Sequence, residues 1–328
     1  MSTVHELMPS QQFSRNRFLV KSSADMKFFV KVVLPLVDKY FDKHNSYFTN
    51  VTSGASIEEK KMSLTLFCKL FTLLRLKMNA YGHEVNISVS CLQCLVQTID
   101  VKAIIKIQMV EDFIRVRLLP FFINCADDLT LIMKNLSLKR YSHLKGTIKR
   151  GACSLDYMHM ILLPVLKSLF EHISNTNCSD ELIVGSVQIA CYKILNALYY
   201  IGTCANDHRN RKSMISELNR HRPLLGECLA TLASCFPVAF LEPDLNENNP
   251  LSITYNNQEG DYGLEARDVL NELSKTLQPL EKIIEQVEML AESGSAKEED
   301  LHLIEITLPM LCSYLPVWWR KNAEQNVN

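Results

Sequence analysis

The sequence predicts an all-α fold, an α-solenoid of stacked antiparallel helical pairs of the HEAT or armadillo kind. Three observations carry that expectation. Apolar residues recur at spacings of three and four along most of the chain, with almost no period-two alternation to mark strands. Prolines stand inside leucine-rich helical stretches, "VVLPLVDKYFDKH", "RLLPFFINCADDL", "ILLPVLKSLFEHI" and "TLPMLCSYLPVWW", at Pro35, Pro120, Pro164 and Pro309. Pro120 and Pro164 are about 44 residues apart and Pro35 and Pro120 about twice that, which falls in the ~40–47-residue period of HEAT and armadillo pairs. Deep in a helix, proline removes a hydrogen bond and bends the axis, a bend that suits a superhelix. The four are therefore read as structural helix prolines, each marking a layer.

In chain order, the periodic segments are Met26 to Phe41, Glu58 to Met78, Val85 to Ile99, Val110 to Asn135, Leu155 to Ile173, Asp180 to Ile201, Pro223 to Ser234, Leu264 to Ala291 and Glu299 to Trp319. Ser179 followed by Asp180 and Glu181 reads as an N-cap with acidic residues in the first turn, and Gly202 as a C-cap glycine. Residues 1–25 form a polar lead, 26–320 one solenoid, and 321–328 a polar tail. Loops are expected near 45–56, 205–222 and 246–263, with a basic turn from Lys139 to Gly151; the longest polar run, Asn246 to Gly263, is expected to be mobile. In Leu264 to Ala291, the residues Leu270, Leu273, Leu277, Leu280, Ile284, Val287 and Ala291 form a heptad-like seam. Pro279 argues against a long coiled coil and for a helix packed within the array.

Composition excludes several function classes. A chain of 328 residues with 47% hydrophobic and 22% charged residues buries roughly three quarters of its unfolded surface, enough for a substantial core. Thirty-five basic against 36 acidic residues leave no global field for nucleic acid or an anionic membrane. The 11 cysteines are scattered and odd in number, with no apolar leader at the start, which reads as a cytosolic chain of free thiols. The most apolar run, "IACYKILNALYYIG", carries Lys193 and falls short of the ~18 residues a membrane span needs.

Chemistry-bearing patterns are nearly absent. "CLQC" at Cys91 to Cys94 sits in an apolar helical run, without a second CxxC or a zinc-spaced histidine pair, and is expected to hold buried structural thiols. His159 and His172 flank apolar faces and are read as core or rim histidines. No metalloprotease, nucleophile-elbow, P-loop or dinucleotide fingerprint occurs. The expectation is a protein that is not an enzyme and takes no cofactor or metal. Two surface features remain. Lys139, Arg140, Lys145, Lys149 and Arg150 form a basic cluster that could meet acidic protein or phosphate, though such clusters are more often solvated turns. Arg209, Arg211 and Lys212 precede Ser213, a candidate phosphoacceptor.

Longer stretches carry a resemblance. "FFVKVVLPLVDKYFDKHNSYF" (Phe28 to Phe48), "LFCKLFTLLR" (Leu66 to Arg75), "GECLATLASCFPVAFLEPDLNENNPLS" (Gly226 to Ser252), "LAESG" (Leu290 to Gly294) and "IEITLPMLCSYLPVWW" (Ile304 to Trp319) resemble the ryanodine receptor family, in the bridging solenoid of its cytoplasmic assembly. The match is collinear from about Met26 to Arg320. Ala205 to Pro223 and Ile253 to Leu273 depart from the family pattern, between expected helices. The resemblance implies stacked helices in an intracellular calcium-release channel of the endoplasmic or sarcoplasmic reticulum. It implies a homotetramer, with this segment on the cytosolic side, contacting neighbouring domains of the same chain and having no pore. The expected work is mechanical, with Ile161, Leu162, Val165, Leu166 and Phe170 as an interhelical seam. The alternative is a free-standing helical-repeat adaptor, which the opening Met1 and the polar ending "KNAEQNVN" favour.

Overall fold

The computed structural model describes residues 23–50, 54–99, 111–138, 154–204, 212–255, 263–294 and 300–325. Helix α1 starts as Ser23–Phe28, passes a π-helical turn at Phe29–Val33 and continues as Leu34–Lys43. A helical turn at Asn45–Thr49 occupies part of the loop expected at 45–56. Ser56 then caps α2 (Ile57–Tyr81): its Oγ accepts from the Glu59 amide at 3.3 Å, and the Glu59 carboxylate accepts from the Ser56 amide at 2.7 Å. This reciprocal box satisfies donors that a first helical turn leaves free. There follow α3 (Val85–Gln97), α4 (Glu111–Ser137) and α5, the last running Leu155–Tyr157, a π turn at Met158–Leu162, then Leu163–Thr176. Next come α6 (Gly185–Thr203), α7 (Lys212–Cys235), α8 (Gly263–Thr276) and α9 (Leu280–Ser293). Helix α10 opens on a π turn, Leu303–Thr307, and continues as Leu308–Gln325.

The fold is all-helical and solenoid-like. Helices α1, α3, α5, α7 and α10 pack side by side in that order, and α2, α4, α6 and α8 form a second row. Contacts of α2 with α3 and of α6 with α7 join the rows. One core runs through the array, and a smaller cluster of Ile283, Leu303 and Leu311 seats α9 on α10. The expected seam residues Ile161, Leu162, Val165, Leu166 and Phe170 are all fully buried. A largely buried ion pair joins α2 to α4 within the second row, where Arg75 donates to both carboxylate oxygens of Asp128, and the Tyr157 hydroxyl of α5 adds a third bond at 3.2 Å from the other row. Burial pushes the Asp128 carboxyl above its usual range, with the Arg75 guanidinium opposing.

The prolines resolve into two kinds. In α1, α5 and α10 the residue before the proline (Leu34, Leu163, Leu308) donates its amide to the carbonyl five residues back, on Phe29, Met158 and Leu303. A proline ring collides with an α-helical carbonyl four residues back. Those carbonyls belong to Lys31, Met160 and Glu305, each inside the widened turn, where one extra residue opens the ladder without ending the helix. Pro120 instead lies inside α4, in the other row, with α-helix on both sides. The four prolines therefore do not mark one layer each. The three π-turn prolines occupy the first, third and fifth helices of a single row.

Other expectations need correction. Ser179 begins a separate turn, Ser179–Leu182, and α6 starts after a break at Ile183 and Val184. Gly202 lies inside α6 and caps nothing. The loop expected at 205–222 is helical from Lys212 onward, because α7 carries Pro223 inside it rather than starting there. In the loop expected at 246–263, Asn246 through Tyr255 is pinned: Asn246 bonds both the amide and the carbonyl of Ala239, and the buried Gln188 of α6 bonds Leu251 and Ile253. The continuous helix expected over Leu264 to Ala291 breaks at Leu277 to Pro279. Its buried face is Ala266, Val269, Leu273, Leu277 and Ile283, whereas the seam residue Ile284 is 46% exposed.

Candidate functional site

A second cluster of buried polar groups lies on the middle turns of α7, around His221 and Arg222, between the π turns of α5 and α10. Helix α7 packs on both of those helices. Toward α5, the His221 ring meets His159, a residue of the π turn, with ring centroids 4.8 Å apart. Toward α10, Arg222 is 1% exposed, and its Nη1 lies 3.5 Å from Glu305 Oε2 in the other π turn. The same guanidinium donates to the Gly202 carbonyl of α6 at 3.3 Å and to Asn219 Oδ1 at 2.7 Å. One side chain thus ties three helices together.

Two glycines allow this closeness. A β-carbon on Gly226 would stand 1.8 Å from the Glu305 carbonyl oxygen, and one on Gly202 would stand 2.5 Å from Ile306 Cδ1. Both distances are far inside contact, so the backbones of α6 and α7 can come this close to the π turn of α10 because these two positions lack side chains. The Glu305 backbone and the Ile306 side chain of the π turn occupy the space that these glycines leave.

The histidine pair is under-satisfied. Among the described residues, His159 Nδ1 and both ring nitrogens of His221 are buried without a hydrogen-bond partner. Glu217 Oε1 stands 3.4 Å from His221 Nε2, with an alignment short of a hydrogen bond. Burial lowers the proton affinity of His159, and the Arg220 charge adds to this against Asp156. Burial, then His159 itself, lowers that of His221, with Glu217 opposing. The surroundings thus disfavour the charged form of both imidazoles, and protonating either one puts an ion into the α5–α7 contact. His172 is the contrasting case: its Nε2 lies 2.6 Å from the Ile99 carbonyl, as expected of a core histidine.

The remaining sequence-singled residues fall elsewhere. Lys139, Arg140, Lys145, Lys149 and Arg150 lie outside the described residues, as does the side chain of Ser213 in the first turn of α7. Cys91 is buried, and burial pushes its thiol up to about 12; Cys94 is half-buried and raised by the same cause. Neither has the lowered pKa that marks a reactive thiol. Among the described residues no three His, Cys, Asp or Glu side chains gather as metal ligands. None of the described helices is long and apolar enough to cross a membrane.

Both ends of the array are apolar. Along α1, Phe28, Val32, Leu36 and Tyr40 are 61%, 43%, 63% and 49% exposed. At the other end, a groove of about 600 Å³ is lined by Leu245, Tyr314, Leu315, Trp319 and Arg320, with Trp319 80% exposed. No protein-family model matches the chain.

Sequence reasoning missed Arg222, His221, Gly226 and Glu305. The available signal was "RHRPLLGE", a proline flanked by basic residues and a glycine. Read as the start of a helix, it gave no reason to place those groups in the interior.

Proposed function

We propose that this chain is a section of the cytosolic helical scaffold of a ryanodine-receptor-like calcium-release channel. In this reading it lies on the cytosolic face of the endoplasmic or sarcoplasmic reticulum, within a full-length homotetramer, and has no pore of its own. It passes conformational changes between regulatory domains and the gate.

The observation that carries the reading is the pair of open apolar end faces. In a free repeat array the terminal layers have polar outer faces, because nothing covers them. Here Phe28, Leu36 and Trp319, on the first and last helices, are 61%, 63% and 80% exposed; single side chains of other helices such as Met62, Val116 and Leu264 are as exposed, but at the two ends they are grouped, in the α1 row and around the Trp319 groove. Such faces suit an internal section whose neighbours continue the stack. Collinear resemblance to the ryanodine receptor family supplies the kind of assembly. The α7 node supplies a means of transmission, since Arg222 links α6, α7 and α10 and a rotation of one is felt by the others.

An immunoblot of fractionated source cells, with an antibody against 256–271, tests the reading. It predicts a signal in microsomal membranes far above 37.5 kDa. A soluble band near 37.5 kDa contradicts it and gives the lead to a free-standing helical-repeat adaptor, for which the open groove at Trp319 is the favouring observation.

A further inference from the structure

Helix α1 exposes two rows side by side. The apolar row Phe28, Val32, Leu36 and Tyr40 repeats every fourth residue, and a lysine stands immediately before three of its members and one turn beyond the last: Lys27, Lys31, Lys39 and Lys43. All four lysines are exposed, against two exposed carboxylates on the same helix, Asp25 and Asp42, and a half-buried one, Asp38. None of the four is in an ion pair among the described residues. The opposite face of α1, with Met26, Val30, Leu34 and Phe41, is buried against the array.

We propose that this outward face of α1 is a docking site for an acidic amphipathic helix, whose apolar stripe covers Phe28, Val32, Leu36 and Tyr40 and whose carboxylates pair with the lysine row. The proposal rests on the reading of the array ends as covered faces, and it names what covers this one. Two features fix the occupant. Helices of this row pack side by side, so the position next to α1 continues an existing interface and has the shape of one more helix. The charge beside the apolar row is predominantly basic, which selects acidic flanks and disfavours basic ones.

The test uses the whole chain and a fluorescent, helix-stapled peptide with leucine at every fourth position and glutamate beside each leucine, together with a twin carrying lysine for glutamate. Anisotropy is expected to show saturable binding of the acidic peptide, at least about tenfold weaker binding of the twin, and a similar loss in the Lys31→Glu/Lys39→Glu variant. Equal binding of both peptides, or of neither, overturns the proposal. So does flotation of the chain on phosphatidylserine-containing vesicles without peptide binding, which makes the face a lipid contact. Self-association in sedimentation velocity that the same lysine variants abolish also overturns it, since the occupant is then a second copy. Failure of the peptide leaves the scaffold reading to its own test: Phe28→Ser/Leu36→Ser should still reduce nonspecific aggregation if the face is normally covered, and an unchanged aggregation onset sinks both.

Discussion

Helices α6 and α1 both show apolar residues at helical spacing, yet they have opposite fates. In α6 nearly every residue from Val187 to Gly202 is buried, the half-buried Lys193 and Tyr200 being the exceptions. In α1, four large apolar side chains face outward. The difference is position. Helix α6 has neighbours in its own row on both sides, α4 and α8, and α7 across the rows, whereas α1 has a row neighbour on one side only. Burial in a stacked array is set by the neighbours a helix has, and the spacing of apolar residues records only that the segment is a helix.

Substitutions sharpen this contrast, and the largest effect is expected in the middle. Leu166→Asp places an unpaired charge at a fully buried position of α5 and should abolish cooperative unfolding, seen as loss of the thermal transition by circular dichroism. An unchanged melting curve would refute the packing described. Next, Arg75→Ala leaves the buried Asp128 without a counter-charge, bonded to the Tyr157 hydroxyl alone, and should cost about 3–5 kcal/mol in urea titration. Gly226→Ala drives a methyl into the Glu305 carbonyl and should cost about 1–3 kcal/mol, with the strain confined to α7 and α10 in hydrogen exchange.

The histidine pair gives a pH signature. The folded chain resists protonating His159 and His221, so below the ordinary histidine value of ~6.5 the unfolded chain binds more protons. The pair's contribution is complete above ~6.5 and is lost as the pH falls through the window beneath it. A fall in Tm from pH 7.5 to 5.5 should accordingly be smaller in His159→Gln/His221→Gln than in the parent chain; equal falls would show that the pair does not titrate within the interface. The smallest effect is expected at the end face. Phe28→Ser should change stability by no more than about 0.5 kcal/mol, since its side chain is 61% exposed, and a larger loss would mean that the face is already covered within the chain.

Much of the fold was legible because helical spacing survives wherever one face is buried. The seam from Ile161 to Phe170 was readable for that reason. Breaks were less legible. The interruption at Ile183 and Val184 has no proline to announce it, and the pinned segment from Asn246 to Tyr255 looks structureless because its order comes from the distant Gln188. The π turns were legible only as "LP" dipeptides, since a widened turn leaves no composition of its own. Of the node, the sequence displayed neither member of the His159–His221 pair as a pair, because they are brought together by the packing of α5 on α7. Gly202 was noticed for the wrong reason: its small size serves a close approach and not a helix end.

The central claim is that the middle of the array is complete and its ends are unfinished. Native-state hydrogen exchange on the isolated chain tests it most directly. The account predicts amide protection in α5 to α7 at least about a hundredfold above that in α1 and the C-terminal half of α10, falling stepwise toward each end as layers lose neighbours. Uniform protection from α1 to α10 would contradict it, for the ends would then be as finished as the middle.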